Sequence, residues 1–380
     1  MARTPWIISW IGVGILASIP VVGACEFSYL IWAIRDKPAD PLYRFVRNRK
    51  AGYIDTAGKI VIKATLPVDG KAFGEFHEGL LAVKEGNGYR YLDRSGTVAF
   101  RGNFWLAFDF SEGLAPASGA NPENKWGFID RTGQFVIDPQ YSWVEPFSEG
   151  LARISVTNQY ESSGYINRQG TVVIPPKLSH GSSFHEGLAA VIMDGPCRSV
   201  GSCERAQFRP AQVSATYDCR YSFIDKSGQP VSKLRFDDAK NFSEGLAPVR
   251  IGDLWGYVDR SAQISITPRF DSADQFSEGL AAVFQDAKWG FIDHSGRFVI
   301  APQFDSVEGF SDGRALVSDH DDKGVWSSRF IDKTGTAAFP GTFAVASSFT
   351  YGLAPVKRTS NGEVAWINTS GKPVFTFRDN

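Results

Sequence analysis

Methionine is nearly missing from this chain, with 2 in 380 residues, and cysteine and histidine are sparse at 4 and 5. No His-x-x-x-His and no His/Cys pairing at zinc-ligand spacing occurs, so metal catalysis and a bound cofactor are not expected. Charge of either sign is not in excess: 40 Lys and Arg face 41 Asp and Glu, a formal net charge of −1. That removes the long-range field a nucleic-acid binder relies on, and no nucleic-acid partner is expected. Aromatic residues and glycine are abundant instead, with 29 Phe and 38 Gly. Such a composition suits many short strands joined by tight turns.

Two phrases alternate along the chain. One is close to Phe-Ser-Glu-Gly-Leu-Ala and occurs eight times from Phe76 to Phe349; the other is close to Trp-Gly-Phe-Ile-Asp, with a Gly three residues on, and occurs nine times. A period of roughly 35 residues marks a repeat architecture. In the copy at 125–139, Trp126 to Ile129 reads as a strand. Asp130 to Gly133 reads as a turn with an Asp acceptor and a glycine at positive φ, and Phe135 to Ile137 as the return strand. Glu149 and Gly150 make a second turn before a third strand at Leu151 to Val156. Asp293 and Gly296 repeat the first turn. Each unit is therefore expected to be a three-stranded antiparallel meander. The fold class is all-β: about nine such units in tandem, first expected as an open superhelical solenoid, with a closed propeller as the alternative.

Spacing carries more than identity. From the turn Asp or Asn to the Phe before Ser-Glu-Gly is 17 residues in seven of eight intervals; the exception, Asp55 to Phe76, is 21. A fixed count implies a packed segment. Length varies between the Leu-Ala-x-Val strand and the next Trp-Gly, most of all at the 192–220 insertion. Insertions of this kind map to one face of a repeat array, often the binding face.

The chain begins differently. Pro5 to Ala24 is an apolar run of 20, long enough to cross a bilayer, and Arg3 before it gives it the look of a signal peptide. Val22-Gly23-Ala24-Cys25 resembles a lipobox, with Cys25 as a possible lipidation site. Residues 1–34 are expected to be a membrane anchor or signal helix, 35–41 a linker and 42–377 the repeat domain. The cations from Arg35 to Lys50 would place the repeats in the cytoplasm. Cys197, Cys203 and Cys219, crowded into the 192–220 insertion, suit an oxidising compartment and a disulfide there, and export is the expectation.

The Trp-Gly-Phe-Ile-Asp-x-x-Gly phrase, the Pro-Gln-Phe or Pro-Gln-Tyr after it and Phe-Ser-Glu-Gly-Leu-Ala together resemble the bacterial WG-repeat family. The resemblance covers roughly Leu42 to Phe377 and implies an all-β repeat domain, often in envelope or secreted proteins, with no catalytic residue to carry over. Ala51, Tyr89, Ser163 and Tyr221 depart from the namesake Trp, and looser packing is expected there.

The recurring acids at 78, 112, 149, 186, 244, 278 and 312 read as turn chemistry, because catalysis needs one differentiated pair and not one acid per repeat. A cation-binding ladder is the alternative. Asp319 to Gly324 lacks the ligand pattern of a calcium loop. Trp105 and Trp143 lie in the constant-length segment and are assigned to the core, whereas Trp326, near a variable loop, is the possible ligand contact. The expected function is that of a non-catalytic binding or scaffolding protein of the bacterial cell envelope, membrane-anchored with periplasmic or extracellular repeats. Its expected partner is another envelope protein or a cell-wall glycan (peptidoglycan or polysaccharide). An accessory domain of an envelope enzyme is the lesser alternative.

Overall fold

A computed structural model describes residues 40–68, 74–86, 88–119, 124–157, 162–193, 220–357 and 363–378. Among them there is no helix; thirty-two strands form nine antiparallel sheets in chain order. The expected N-terminal helix, residues 1–34, lies outside the described residues, as do Cys25, Cys197, Cys203 and Cys219 with most of the 192–220 insertion.

The nine sheets are the blades of a propeller. Five are four-stranded, not three-stranded as the repeat phrases suggest. In blade 4 the strands are Trp143–Val144, Leu151–Ser155, Ser163–Asn167 and Val172–Leu178. The additional strand lies ahead of the Ser-Glu-Gly turn and is only two residues long in blades 4, 6 and 9, too short to stand out by alternation. Blades 5 and 8 have three named strands plus isolated bridges, such as Tyr221 to Phe236 and Ser328 to Phe343, where the last strand would run.

Local chemistry explains both phrases. In the Trp-Gly strand, a Cβ on Gly127 would lie 2.2 Å from the Ile137 carbonyl oxygen, and one on Gly256 2.4 Å from that of Ile266. Only glycine lets the following strand approach so closely, and the register shifts there. The aromatic two residues after the Trp packs on the Phe of Phe-Ser-Glu-Gly at the next blade. Phe128 meets Phe147 at 4.7 Å between ring centroids, Tyr165 meets Phe184 at 4.9 Å and Phe291 meets Phe310 at 4.9 Å. These pairs are the ruler behind the constant 17-residue interval, since an inserted residue would pull the rings apart.

The array closes. Tyr43 packs on Trp366 at 5.2 Å and Phe45 on Phe375 at 4.9 Å. Tyr43 Oη donates to the Tyr351 carbonyl, and Trp366 Nε1 donates to that of Arg44 at 3.2 Å. The open solenoid is therefore overturned in favour of the closed ring. Trp366 stands at the place of Phe128, but no further Phe-Ser-Glu-Gly follows it in the chain. Tyr43 of blade 1 supplies the missing ring, and closure is by side-chain packing between blades 9 and 1 and not by a shared strand.

Candidate functional site

At one end of the blades lie the Asp-x-x-Gly and Ser-Glu-Gly turns. Asp130 Oδ1 accepts from the backbone N–H of Thr132 and Gln134 at 2.8 and 3.1 Å, with Gly133 at φ +85°. Asp293 does the same with Ser295 and Arg297, ahead of Gly296 at φ +82°. The hydroxyls of Thr132 and Ser295, then the backbone N–H groups, hold both carboxyls below the usual range.

The acids of Ser-Glu-Gly act between blades. Each sits in the left-handed region, Glu149 at φ +54°, and aims its carboxylate at the Gly of the next blade's turn. Glu78 accepts from Gly113 N–H at 3.0 Å, Glu112 from Gly150 at 2.9 Å and Glu149 from Gly187 at 2.8 Å. Glu186, Glu244, Glu278 and Asp312 continue the series onto Gly245, Gly279, Gly313 and Gly352. Beside them, the Ser148 hydroxyl donates to the Phe184 carbonyl at 2.6 Å, as do Ser111, Ser243 and Ser277 one blade ahead of their own. The next blade also answers the charge: Arg131 lies 3.3 Å from Glu78, Lys226 3.1 Å from Glu149 and Lys333 3.4 Å from Glu278, and His294 Nε2 sits 3.3 Å from Glu244. Burial raises the Glu149 carboxyl, but the Gly187 N–H and Lys226 outweigh it and hold it low. Carboxylates so engaged act as clasps between neighbouring blades.

The opposite end carries the variable hairpins. All join the second and third strands of the four-stranded pattern, closing at pairs such as Arg47 with Lys50, Ser155 with Ser163, Ile192 with Tyr221 and His320 with Trp326. Antiparallel pairing puts every one of them at the same blade end. The 192–220 insertion leaves from this face, between Ile192 and Tyr221.

Two side-chain clusters here break the repeat. In blade 3, Trp126 stacks on Phe108 at 5.1 Å and meets Trp143 at 5.3 Å. One blade on, the corresponding places hold Ser163, Glu145 and His180. Arg153, in a strand position filled by Ala, Pro or Leu in the other blades except blade 1, which has Arg44, reaches Ser163 at the place of the missing Trp. It donates to Glu145 Oε1 at 2.5 Å and Ser163 Oγ at 3.2 Å, and Ser183 Oγ donates to Glu145 Oε2 at 2.9 Å. Burial, then Arg153, pushes the His180 imidazole down to about 4. Packing at Ser163 is thus not loosened, since an ionic cluster replaces the aromatic one. The cluster lies beneath the root of the insertion, His180 pairing directly with Ile192.

The second cluster surrounds Trp326, 37% exposed, which faces His320 at 5.2 Å. His320 Nδ1 lies 2.8 Å from Asp305, which also takes Lys288 at 2.6 Å, while Arg329 donates to Asp319 at 2.7 Å. Trp143 belongs to the core, but Trp105 is 57% exposed, which corrects its assignment. Among the described residues no group of His, Cys, Asp and Glu has the arrangement of a metal site. In the sequence, Trp326 stood out by its place near a variable loop, and Arg153 as a charge where the other copies except the first, which has Arg44, hold a small or apolar residue.

A family model described as WG containing repeat matches residues 52–89, 126–160, 164–195, 221–255, 255–289, 289–323 and 329–360, together more than half of the chain. Among solved structures, BamB from Moraxella catarrhalis is similar at 10% identity, over 78% of this chain and 93% of that one, with TM-score 0.42. Dihydro-heme d1 dehydrogenase NirN in complex with DHE is similar at 12% identity, over 90% and 78%, with TM-score 0.44. PorZ, an essential bacterial surface component of the type-IX secretion system of Porphyromonas gingivalis, gives 10% identity, 90% and 52%, and TM-score 0.32. No curated protein matches the chain.

Proposed function

The chain belongs to the WG-containing-repeat family, and on that premise we propose that it is a non-catalytic binding or scaffolding protein of the cell envelope that engages a protein partner through its variable loops. One observation carries the reading: the hairpins that vary in length share one end of the ring, while the recurring acids are spent in clasps at the other. Repetition builds the frame, and the non-repeating segments are left free for recognition. The 192–220 insertion is the principal contact, and its root is stiffened by the Arg153–Glu145 cluster. Residues 1–34 tether the ring to the membrane, with the repeats outside the cytoplasm, and a disulfide staples the insertion.

The test is capture of partners from solubilised membranes by the full chain and by a variant lacking 194–219. Loss of a specific partner with the deletion supports the proposal; an unchanged set of partners sinks it. Trp326 favours a second reading, in which a glycan stacks on its exposed ring beside Asp305 and Arg329. Wall-glycan sedimentation that fails with Trp326→Ala and persists in the deletion variant would select it.

A further inference from the structure

Charges on the loop face are mostly answered. Glu85 holds Arg90 and Arg101, Asp305 holds Lys288, Asp319 holds Arg329 and Asp274 holds Lys240. The seam end is different. The tip of the first hairpin, Arg47-Asn48-Arg49-Lys50, is exposed, and so are Arg378 of blade 9, which shares a groove with Arg47, and Lys357 at the same end of that blade. Among the described residues none of these five cations has an ion pair. Arg47 and Arg378 flank an open groove of about 500 Å³ between blades 9 and 1, with Thr376 and Phe377 on its walls. Glu363 lines the same groove, but it has an interaction of its own. Among the residues lining the groove, Arg47 and Arg378 outnumber the single acid, Glu363.

We propose that this seam rim is a docking surface for the anionic headgroups of a lipid bilayer, so that the ring lies with the ends of blades 9 and 1 against the membrane. Charge complementarity is the first support: unpaired Lys and Arg near an anionic bilayer are each attracted to it, and the sum decides orientation. Chain length is the second. Residues 25–39 separate the apolar run from Asp40, a reach of at most roughly 50 Å, whereas a blade of five-residue strands is only about 17 Å tall. A ring tethered at blade 1 therefore keeps the basic rim at high effective concentration near lipid. The inference rests on the membrane tether proposed above.

The experiment uses the full chain in nanodiscs of phosphatidylcholine alone, or with about one third phosphatidylglycerol, and reads amide hydrogen exchange in residues 44–53. Exchange there is expected to slow at least about fivefold in anionic discs only, and to recover at about 0.5 M salt, where screening is strong. Residues 164–178 of blade 4 should not change, which controls for folding. The variant Arg47→Gln, Arg49→Gln, Lys50→Gln should lose the protection. Equal rates in the two discs, or protection retained by that variant, overturn the proposal. Protection produced in neutral discs by soluble glycerol phosphate would assign a free anion and overturn the membrane source. A chain that does not enter neutral discs refutes the tether alone. The rim is then read by sedimentation with anionic vesicles, where no salt-sensitive binding overturns it.

Discussion

Seven of the nine blade junctions are held by an acid clasp, and the junction of blades 9 and 1 is held by aromatic rings. At the clasped junctions a carboxylate reaches one specific N–H, so position is fixed by hydrogen-bond geometry and repeated almost unchanged. At the seam the acid's place is taken by Tyr351, whose carbonyl receives the Tyr43 hydroxyl, and Phe45, Phe375 and Phe377 fill the space. Hydrophobic burial is less directional than a clasp and larger per residue. Closing a ring of nine demands that accumulated error from eight junctions be absorbed somewhere, and packed aromatics can absorb it.

The sharpest way to break this comparison is at the seam. Phe45 is 3% exposed and touches both Phe375 and Phe377. Phe45→Ala is expected to cost about 3–5 kcal/mol in unfolding free energy and to loosen blades 9 and 1 first, seen as faster hydrogen exchange in both. Uniform loss around the ring would show that the seam is no special element.

Within a clasped blade the largest lesion is at the close backbone approach. Gly256→Ala forces a Cβ against the Ile266 carbonyl and should cost about 2–4 kcal/mol. Its disturbance should centre on blades 6 and 7 and leave the seam intact, the reverse of Phe45→Ala.

The ionic cluster of blades 4 and 5 tests a junction of a third kind. The folded His180 imidazole is held down to about 4 by burial and Arg153, with Glu145 opposing, so the unfolded chain binds its proton first as pH falls. Its contribution is complete above about pH 6.5 and is lost as pH falls towards 4, about 2–3 kcal/mol in all. His180→Gln should flatten that limb of the stability profile. Asp109, raised to about 6 by burial despite His77, contributes an opposite slope between about 4 and 6. The difference between His180→Gln and the parent isolates the histidine; an unchanged slope would show that it titrates freely.

How much of this was legible in the sequence follows from how far each interaction reaches. The Asp130 and Asp293 turns close within four residues, so their chemistry stands in the motif itself. The 17-residue interval was visible as a number, but its cause, the pair of rings it holds in register, lies across a blade boundary. The partner of Glu149 is Gly187, 38 residues on, and no local pattern names it. Closure was legible only as an alternative, because it depends on contacts such as that of Tyr43 with Trp366, 323 positions apart. Arg153 marks the middle case: the repeat exposes it as a misfit, and only packing shows that it replaces a tryptophan.

The smallest expected effect belongs to the clasp itself. Glu149→Ala removes the acceptor for Gly187 N–H and the partner of Lys226, and should cost about 1–2 kcal/mol, since a half-buried charged acceptor is lost. Glu149→Gln keeps an oxygen where the carboxylate oxygen stood and loses only the charge, so its cost should stay below about 1 kcal/mol. The two variants divide in salt: the difference between parent and Glu149→Gln should shrink as ionic strength rises, while the deficit of Glu149→Ala largely persists. Denaturant unfolding at low and high salt checks both. If Gln costs as much as Ala, the clasp is an ion pair with Lys226. Its likeness to the neutral Ser148–Phe184 bond beside it would then be superficial, and the seven junctions would be electrostatic in a way the aromatic seam is not.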